Sequence, residues 1–341
     1  MTEMLLAVDI GGTKCELALF PSGSSLTPVA RKRFASADYP DLEEIVAEFL
    51  SETGEKPTHA CVGVAGVVSD GCGRVTNLPW IVHEETIQQR FGFQAVQLIN
   101  DLTSVCASLP ILEGADLMEI QAGQPQAGQL IGVVAPGTGL GEGLLVQKDG
   151  LFFPRGCEGG HADFAPVDEL QTELMKWMLG RRQRVSYESL IAGPGIPNLY
   201  DFLHEQQGIP ELAEVRQEFD STTDRTPVIF HHAFSEHPCL LCRQTIDLFL
   251  EILGAEAGNL ALKLYARGGI YIGGGIVPRI ADKVSFDGFR QAFQAKGKMA
   301  ELMETFPVQL ILRKDAALLG VAKYGREIMI GTPVRTTRHF H

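Results

Sequence analysis

Three glycine-rich loops, each at the end of an apolar run, constrain this 341-residue chain more than any other feature. Two share one layout, apolar run, glycine turn, apolar run: "EMLLAVDIGGTKCELALF" from Glu3 and "QLIGVVAPGTGLGEGLLVQ" from Gln129. The third, "GGIYIGGGIVPRI", ends a strand-like run in Gly273-Gly274-Gly275 and leads into a helix start. In "DIGGTK" the glycines predict a tight hairpin whose turn needs positive φ.

Between the first two loops short β-rich runs alternate with helical patterns. "VARKRF", "HACVGVAG" and "AVQLIN" read as strands, and about Tyr39 to Ser51 and Glu84 to Phe91 as helices. Such alternation implies an α/β layer structure. From Pro110 to Gly128 the pattern dissolves, so a boundary is placed near Leu112: a small α/β domain over 1–111 and a large one over 112–314. The large domain is richer in helix, about Asp168 to Gly180, Tyr187 to His204 with a Gly-Pro-Gly interruption, Cys239 to Arg267 and Phe286 to Gln294, with strands "GGIYIGG" and "PVQLILR". A last helix, about Asp315 to Met329, returns to the small domain in this reading, which assigns 315–341 there, and the tail "TPVRTTRHFH" is expected to be loose.

Asp9 ends an apolar strand, where a carboxylate is costly unless a cation is near. Alone, "DIGGT" reads equally as a plain hairpin. The second loop, Ala135 to Gly143, adds weight to an anion site, since glycines let backbone N–H groups approach phosphate closely. No G-x-x-x-x-G-K-[ST] occurs, which excludes a Walker-type loop; Gly137, Gly139 and Gly141 give G-x-G-x-G leading into a strand, which argues against a dinucleotide fold. Three such loops point to a nucleotide cleft between two domains.

Asn100-Asp101 stands where "AVQLI" stops and a helical pattern begins. The pair can be an Asx cap, or a carboxylate at a strand's carboxyl end that takes a proton from a substrate hydroxyl. In "PRGCEGGHADFAP" the residues Cys157, Glu158, His161 and Asp163 match no zinc spacing, and a polar turn and a polyhydroxyl ligand site remain open. "HHAFSEHPCLLC" also tempts toward zinc, but Cys239 and Cys242 open a long apolar helix and fit as small hydrophobes.

Composition narrows the class. A net charge of −13 without a clustered basic footprint disfavours nucleic acid as a partner. No apolar stretch approaches the roughly 20 residues of a membrane span. The start, "MTEMLLAVDIGG", lacks a basic n-region, and the 7 cysteines are sparse and odd in number. A soluble cytoplasmic protein with reduced thiols is expected.

Nearly end to end, the sequence resembles the bacterial glucokinases of the hexokinase, actin and heat-shock chaperone superfamily. The likeness is carried by "DIGGTK", "LINDLTSVCASLP", "PGTGLGEG", "GCEGGHADFAP", "VSYESLIAGPGIPNLY", "GGIYIGGGIVPR" and "DAALLG". It implies a two-domain actin-like ATPase (ribonuclease H-like) fold whose cleft closes on glucose, and phosphorylation of the 6-hydroxyl by MgATP. On matching positions, Asp101 would be the general base. Asn100, Glu158, His161 and Glu188 would hold the other hydroxyls, with Gly159-Gly160 as the turn that aims them and Cys157 as packing. Asp9 would support magnesium through water. Gly11, Gly12, Thr13, Gly137, Thr138 and Gly139 would cradle the phosphates, and Gly274 and Gly275 would face the adenosine. A homodimer is implied too.

Some positions depart from the family pattern. Lys14-Cys15-Glu16 replaces Asn-Ala-Arg, and the lysine is shared with the related ROK group. Ser189 replaces an arginine, Ala192 a serine, and Glu142 an apolar residue. These departures bear on phosphate donor and strictness for glucose. Kinases for mannose or an N-acetylhexosamine, and a catalytically silent sugar sensor, are the other readings.

Overall fold

The computed structural model describes residues 4–21, 23, 25–148 and 151–331, Ile328 by its backbone alone; the tail "TPVRTTRHFH" lies outside them. The chain divides into two compact units. One comprises Met1–Leu117, Gly143–Gly156 and Arg313–His341, the other Met118–Glu142 and Cys157–Leu312.

The strands of the first unit include β1 (Met4–Ile10), β2 (Lys14–Pro21), β3 (Ala30–Ala35), β4 (His59–Val64), β5 (Gly66–Ser69), β6 (Cys72–Val75), β7 (Ile81–His83) and β8 (Ala95–Asn100). Five form a sheet in the order β3-β2-β1-β4-β8, and β5, β6 and β7 form a small one. β1 and β4 read as continuous apolar runs because both faces are covered. Leu6, Val8 and Val62 pack with Ile45, Val46 and Phe49 of the helix Leu42–Thr53. On the other face Leu5, Ala7 and Cys61 meet Leu318, Val321 and Ala322 of the helix Ala316–Tyr324, which runs on into a π turn over Gly325–Ile330.

β1, β4 and β8 are parallel, with Ile10 opposite Val64 and Val64 opposite Asn100. Their carboxyl ends therefore stop at one level, which sets Asp9 and Asn100-Asp101 at the same sheet edge. The turn from β1 to β2 departs from expectation, since neither Gly11 nor Gly12 has positive φ. Three residues span the gap; Gly11 N donates to Lys14 O at 2.8 Å, and Ser36 Oγ donates to Gly11 O at 3.1 Å. A Cβ at Gly11 would stand 3.2 Å from Lys14 O, so room, not handedness, asks for glycine.

The remaining strands are β9 (Leu117–Gln121), β10 (Ile131–Pro136), β11 (Leu140–Lys148), β12 (Leu151–Cys157), β13 (Gly269–Ile272) and β14 (Val308–Ile311). Their sheet has the order β12-β11-β10-β13-β14-β9, and β13 runs parallel to β10 and β14. The helices Glu169–Leu179, Ile196–Glu205, Thr226–Ala233, Leu240–Leu264 and Asp287–Gln294 share one apolar core with β10, β13 and β14. Cys239 and Cys242 are buried in that core.

One local reading is corrected and another is made specific. The stretch from Pro110 to Gly128 contains β9, which Gln121 fastens by donating through Nε2 to Met303 O at 2.9 Å and Phe306 O at 2.7 Å. The helical stretch from Tyr187 to His204 is two helices, Glu188–Ile191 and Ile196–Glu205, split by a 3₁₀ turn at Gly193–Gly195. The helix opens because the Gly193 backbone bonds elsewhere: its N–H donates to Gly137 O at 2.8 Å, and its carbonyl accepts Thr226 Oγ1 at 2.7 Å.

Candidate active site

In the first unit the residues singled out from sequence gather at the carboxyl edge of β1, β4 and β8. Asn100 caps the helix Asp101–Ser108, its Oδ1 accepting from Leu102 N at 2.9 Å and Thr103 N at 3.3 Å while Nδ2 donates to Gly66 O at 3.1 Å. The cap reading thus holds for Asn100, with one amide N–H beyond these bonds. Asp101 opens that helix, and its Oδ1 accepts from its neighbour Leu102 N at 2.9 Å.

Asp9 is pushed up from 3.8 to about 6, by burial first and then by the negative charge of Asp101, with Lys14 pulling the other way. A half-buried carboxylate that feels the negative charge of a second one fits a divalent cation, which would relieve both effects. Among the described residues no group of three or more His, Cys, Asp or Glu side chains forms a metal cluster. Asp9 with waters and substrate phosphates is the ligand set that magnesium ordinarily takes.

The second unit brings the other residues together. The turn Gly159–His161 follows β12, and a Cβ at Gly160 would lie 2.0 Å from Leu140 O, so only glycine lets it lie so close. The turn aims its side chains at one place. His161 Nε2 is 3.8 Å from Glu158 Oε2, and His161 Nδ1 is 3.6 Å from Glu188 Oε1. Side-chain exposure falls from 73% at Glu158 through 57% at His161 to 31% at Glu188, leaving an open cluster of two acceptors around an imidazole. Cys157, expected to pack, is exposed instead, because β12 alternates outward at Leu151, Phe153, Arg155 and Cys157.

The second and third glycine loops converge in the same unit. Gly273 N donates to Val134 O at 2.8 Å, beside the Gly137–Gly139 loop. Gly274 has φ 76°, and a Cβ there would lie 2.1 Å from Pro136 O. Thr138, Gly139, Gly274 and Gly275 are exposed, so bare backbone faces outward. Gly193, bonded to Gly137, joins this set; sequence reasoning saw only an interruption of a helix.

The glucokinase family model matches residues 6–328. The chain belongs to the glucokinase family. It is 38% identical over 334 residues to the glucokinase of Nostoc punctiforme, covering 94% of this chain and 98% of that one. The crystal structure of a glucokinase from an Antarctic psychrotroph matches with a TM-score of 0.79 at 30% identity, over 94% of this chain and 98% of the other. A ROK family glucokinase from Streptomyces griseus, solved with glucose and AMPPNP, shares the fold at a TM-score of 0.63 and 19% identity, over 95% and 99% of the two chains. The fold is that of the two-domain actin-like ATPases.

The positions that depart from the family pattern have local explanations in two cases. Lys14 is exposed on the first glycine turn, where its charge partly offsets the burial of Asp9. Ser189 turns inward, donating through Oγ to Ser186 O at 2.6 Å. Nothing in the structure explains Ala192.

Proposed function

We propose that this chain transfers the γ-phosphoryl group of ATP to the 6-hydroxyl of glucose, with Asp101 taking the hydroxyl proton. The bond from O6 to phosphorus forms, the bond from the γ-phosphorus to the ADP oxygen breaks, and the proton passes to the Asp101 carboxylate. Phosphoryl transfer asks mainly for positioning and charge stabilisation, and a carboxylate that aligns the attacking hydroxyl is the usual base.

The observation that carries this reading is the cluster of Glu158, His161 and Glu188, whose ionisable atoms lie 3.6 and 3.8 Å apart around one imidazole. Carboxylates accept from sugar hydroxyls, and a neutral imidazole donates through one nitrogen and accepts through the other. Gly11, Gly12 and Thr13 on one unit and Gly137, Thr138 and Gly139 on the other supply N–H and hydroxyl donors to the phosphates. Gly274 and Gly275, with Gly193 behind Gly137, leave backbone bare for the adenosine. Magnesium, when bound with ATP, neutralises charge on the phosphates, and Asp9 would hold it through water.

ADP release from MgATP in the presence of glucose, mannose, fructose, N-acetylglucosamine and N-acetylmannosamine tests the reaction. Turnover is expected with glucose above the others, and silence on every sugar would return the chain to the sensor reading.

The same reading makes the protein a cytoplasmic homodimer. Its cysteines, Cys15, Cys61, Cys72, Cys106, Cys157, Cys239 and Cys242, are all free thiols, as a reducing compartment favours. No helix among the described residues is long and apolar enough to cross a membrane. The dimer rests on the family resemblance, and light scattering that returns a monomer mass would contradict it.

A further inference from the structure

Beneath the Gly159–His161 turn lies a buried acidic pair that the reaction does not use. Glu142 is 1% exposed and Glu256 is not exposed at all. Gly159 rests directly on Glu142, since a Cβ there would fall 2.0 Å from Oε2. Asn259 Nδ2 donates to Glu256 Oε2 at 2.8 Å and to the Tyr187 hydroxyl at 2.9 Å, and Lys296 Nζ donates to Asn259 Oδ1 at 2.7 Å. Tyr187 precedes Glu188, and its N–H donates to Ala162 O at 3.1 Å, just past the turn. Glu158, His161 and Glu188 thus stand on one polar cluster.

The cluster is short of positive charge. Among the described residues no hydrogen-bond donor reaches Glu142 Oε1 or Glu256 Oε1. Lys263 Nζ, on a side chain 60% exposed, stays 3.7 Å from Glu256 Oε1. Around Glu142 the titratable groups are Glu256 and Lys263 on the helix Leu240–Leu264 and Cys157 at the end of β12; Tyr187 and Lys296 face Glu256. Two ionised carboxylates in such a place would repel with little compensation. Burial first, and Glu256 second, push the Glu142 carboxyl up to about 8.

We propose that Glu142 and Glu256 share one proton, and that the protonated pair positions the turn carrying Glu158 and His161 together with the Tyr187-Glu188 step, so that sugar affinity falls when that proton leaves. The inference rests on the sugar site proposed above. When Glu142 ionises, repulsion from Glu256 displaces it. Gly159, with no slack above Oε2, must move too. Glu142 is a positioning residue, acting through the turn and not on the sugar.

The test is glucose KM and kcat between pH 6.5 and 9.5 at saturating MgATP, for the wild type, Glu142→Gln and Glu188→Gln. In the wild type KM is expected to rise about tenfold between pH 8 and 9.5, the order for one deprotonation disabling the binding form, while kcat changes less than twofold. Glu142→Gln carries an amide that cannot ionise and still donates to Glu256, so its KM should stay flat and within about threefold of wild type at pH 7. A wild-type KM that does not rise, or an equal rise in Glu142→Gln, would overturn the inference. If Glu142→Gln does not fold, Glu256→Gln takes its place with the same expectation. An unchanged KM in Glu188→Gln at pH 7 removes the sugar site and this inference together. A normal Glu188→Gln response without a Glu142-dependent rise removes the inference alone.

Discussion

Glu188 Oε2 accepts the backbone N–H of Leu140 at 2.9 Å, and a Cβ on Gly139 would stand 2.7 Å from the same oxygen. The second oxygen of that carboxylate faces His161 at 3.6 Å. One side chain therefore braces the Gly137–Gly139 loop and completes the proposed sugar cluster.

That double attachment separates two substitutions. Glu188→Gln keeps a carbonyl oxygen able to accept from Leu140 but loses the charge, so glucose KM should rise about tenfold, worth ~1.4 kcal/mol, with ATP KM within about twofold of wild type. Glu188→Ala removes the brace as well and should raise both constants. An ATP KM that Glu188→Ala leaves untouched would show that the loop does not depend on Glu188.

Asp9 carries a cost in the substrate-free protein. Its carboxyl is raised from 3.8 to about 6, so the protonated form suits the fold better, and stability falls as pH rises from about 3.8 until it passes about 6. Asp9→Asn should therefore raise Tm by a few degrees at pH 7.5 and by about half as much at pH 5, where the unfolded chain already ionises Asp9 and the folded one does not. Catalysis should fall by at least about a hundredfold, because the neutral amide no longer supports a cation. Thermal unfolding at both pH values checks the first part, and an Asn variant less stable at pH 7.5 would contradict the burial argument.

Gly274→Ala should cost about 1–3 kcal/mol in urea unfolding, because φ 76° is left-handed and the new methyl would meet Pro136 O at 2.1 Å. The displaced loop should raise ATP KM several-fold and leave glucose KM nearly alone. Wild-type stability together with wild-type ATP KM would remove Gly274 from the nucleotide region.

Much of this was legible in sequence where local chemistry decides the structure. Apolar runs ending in glycine marked β1, β10 and β13, and the Asn100 cap followed from an Asx residue between a strand and a helical pattern. The small sheet was missed although Asp70-Gly71, both at positive φ, is a strong two-residue hairpin signal; its strands are too short to show alternation. β12 went unread; it alternates in exposure and carries Pro154, which is tolerated because the strand stands at the sheet edge, where a missing N–H costs nothing. Gly193 and Ser36 could not be found at all, since each acts through a bond to a residue distant in the chain. Glu142 was noticed only as a departure. Its partner Glu256 lies more than a hundred residues away on an apolar helix, and tertiary folding alone reveals the pair.

Asp101→Asn bears most directly on the proposed chemistry. ADP release from MgATP with glucose, measured beside glucose binding for wild type and variant, is predicted to show turnover reduced at least about a hundredfold while the glucose Kd stays within about threefold, because the amide keeps the shape and loses the base. Turnover reduced less than tenfold, with binding intact, would contradict the assignment of Asp101 as the group that takes the proton.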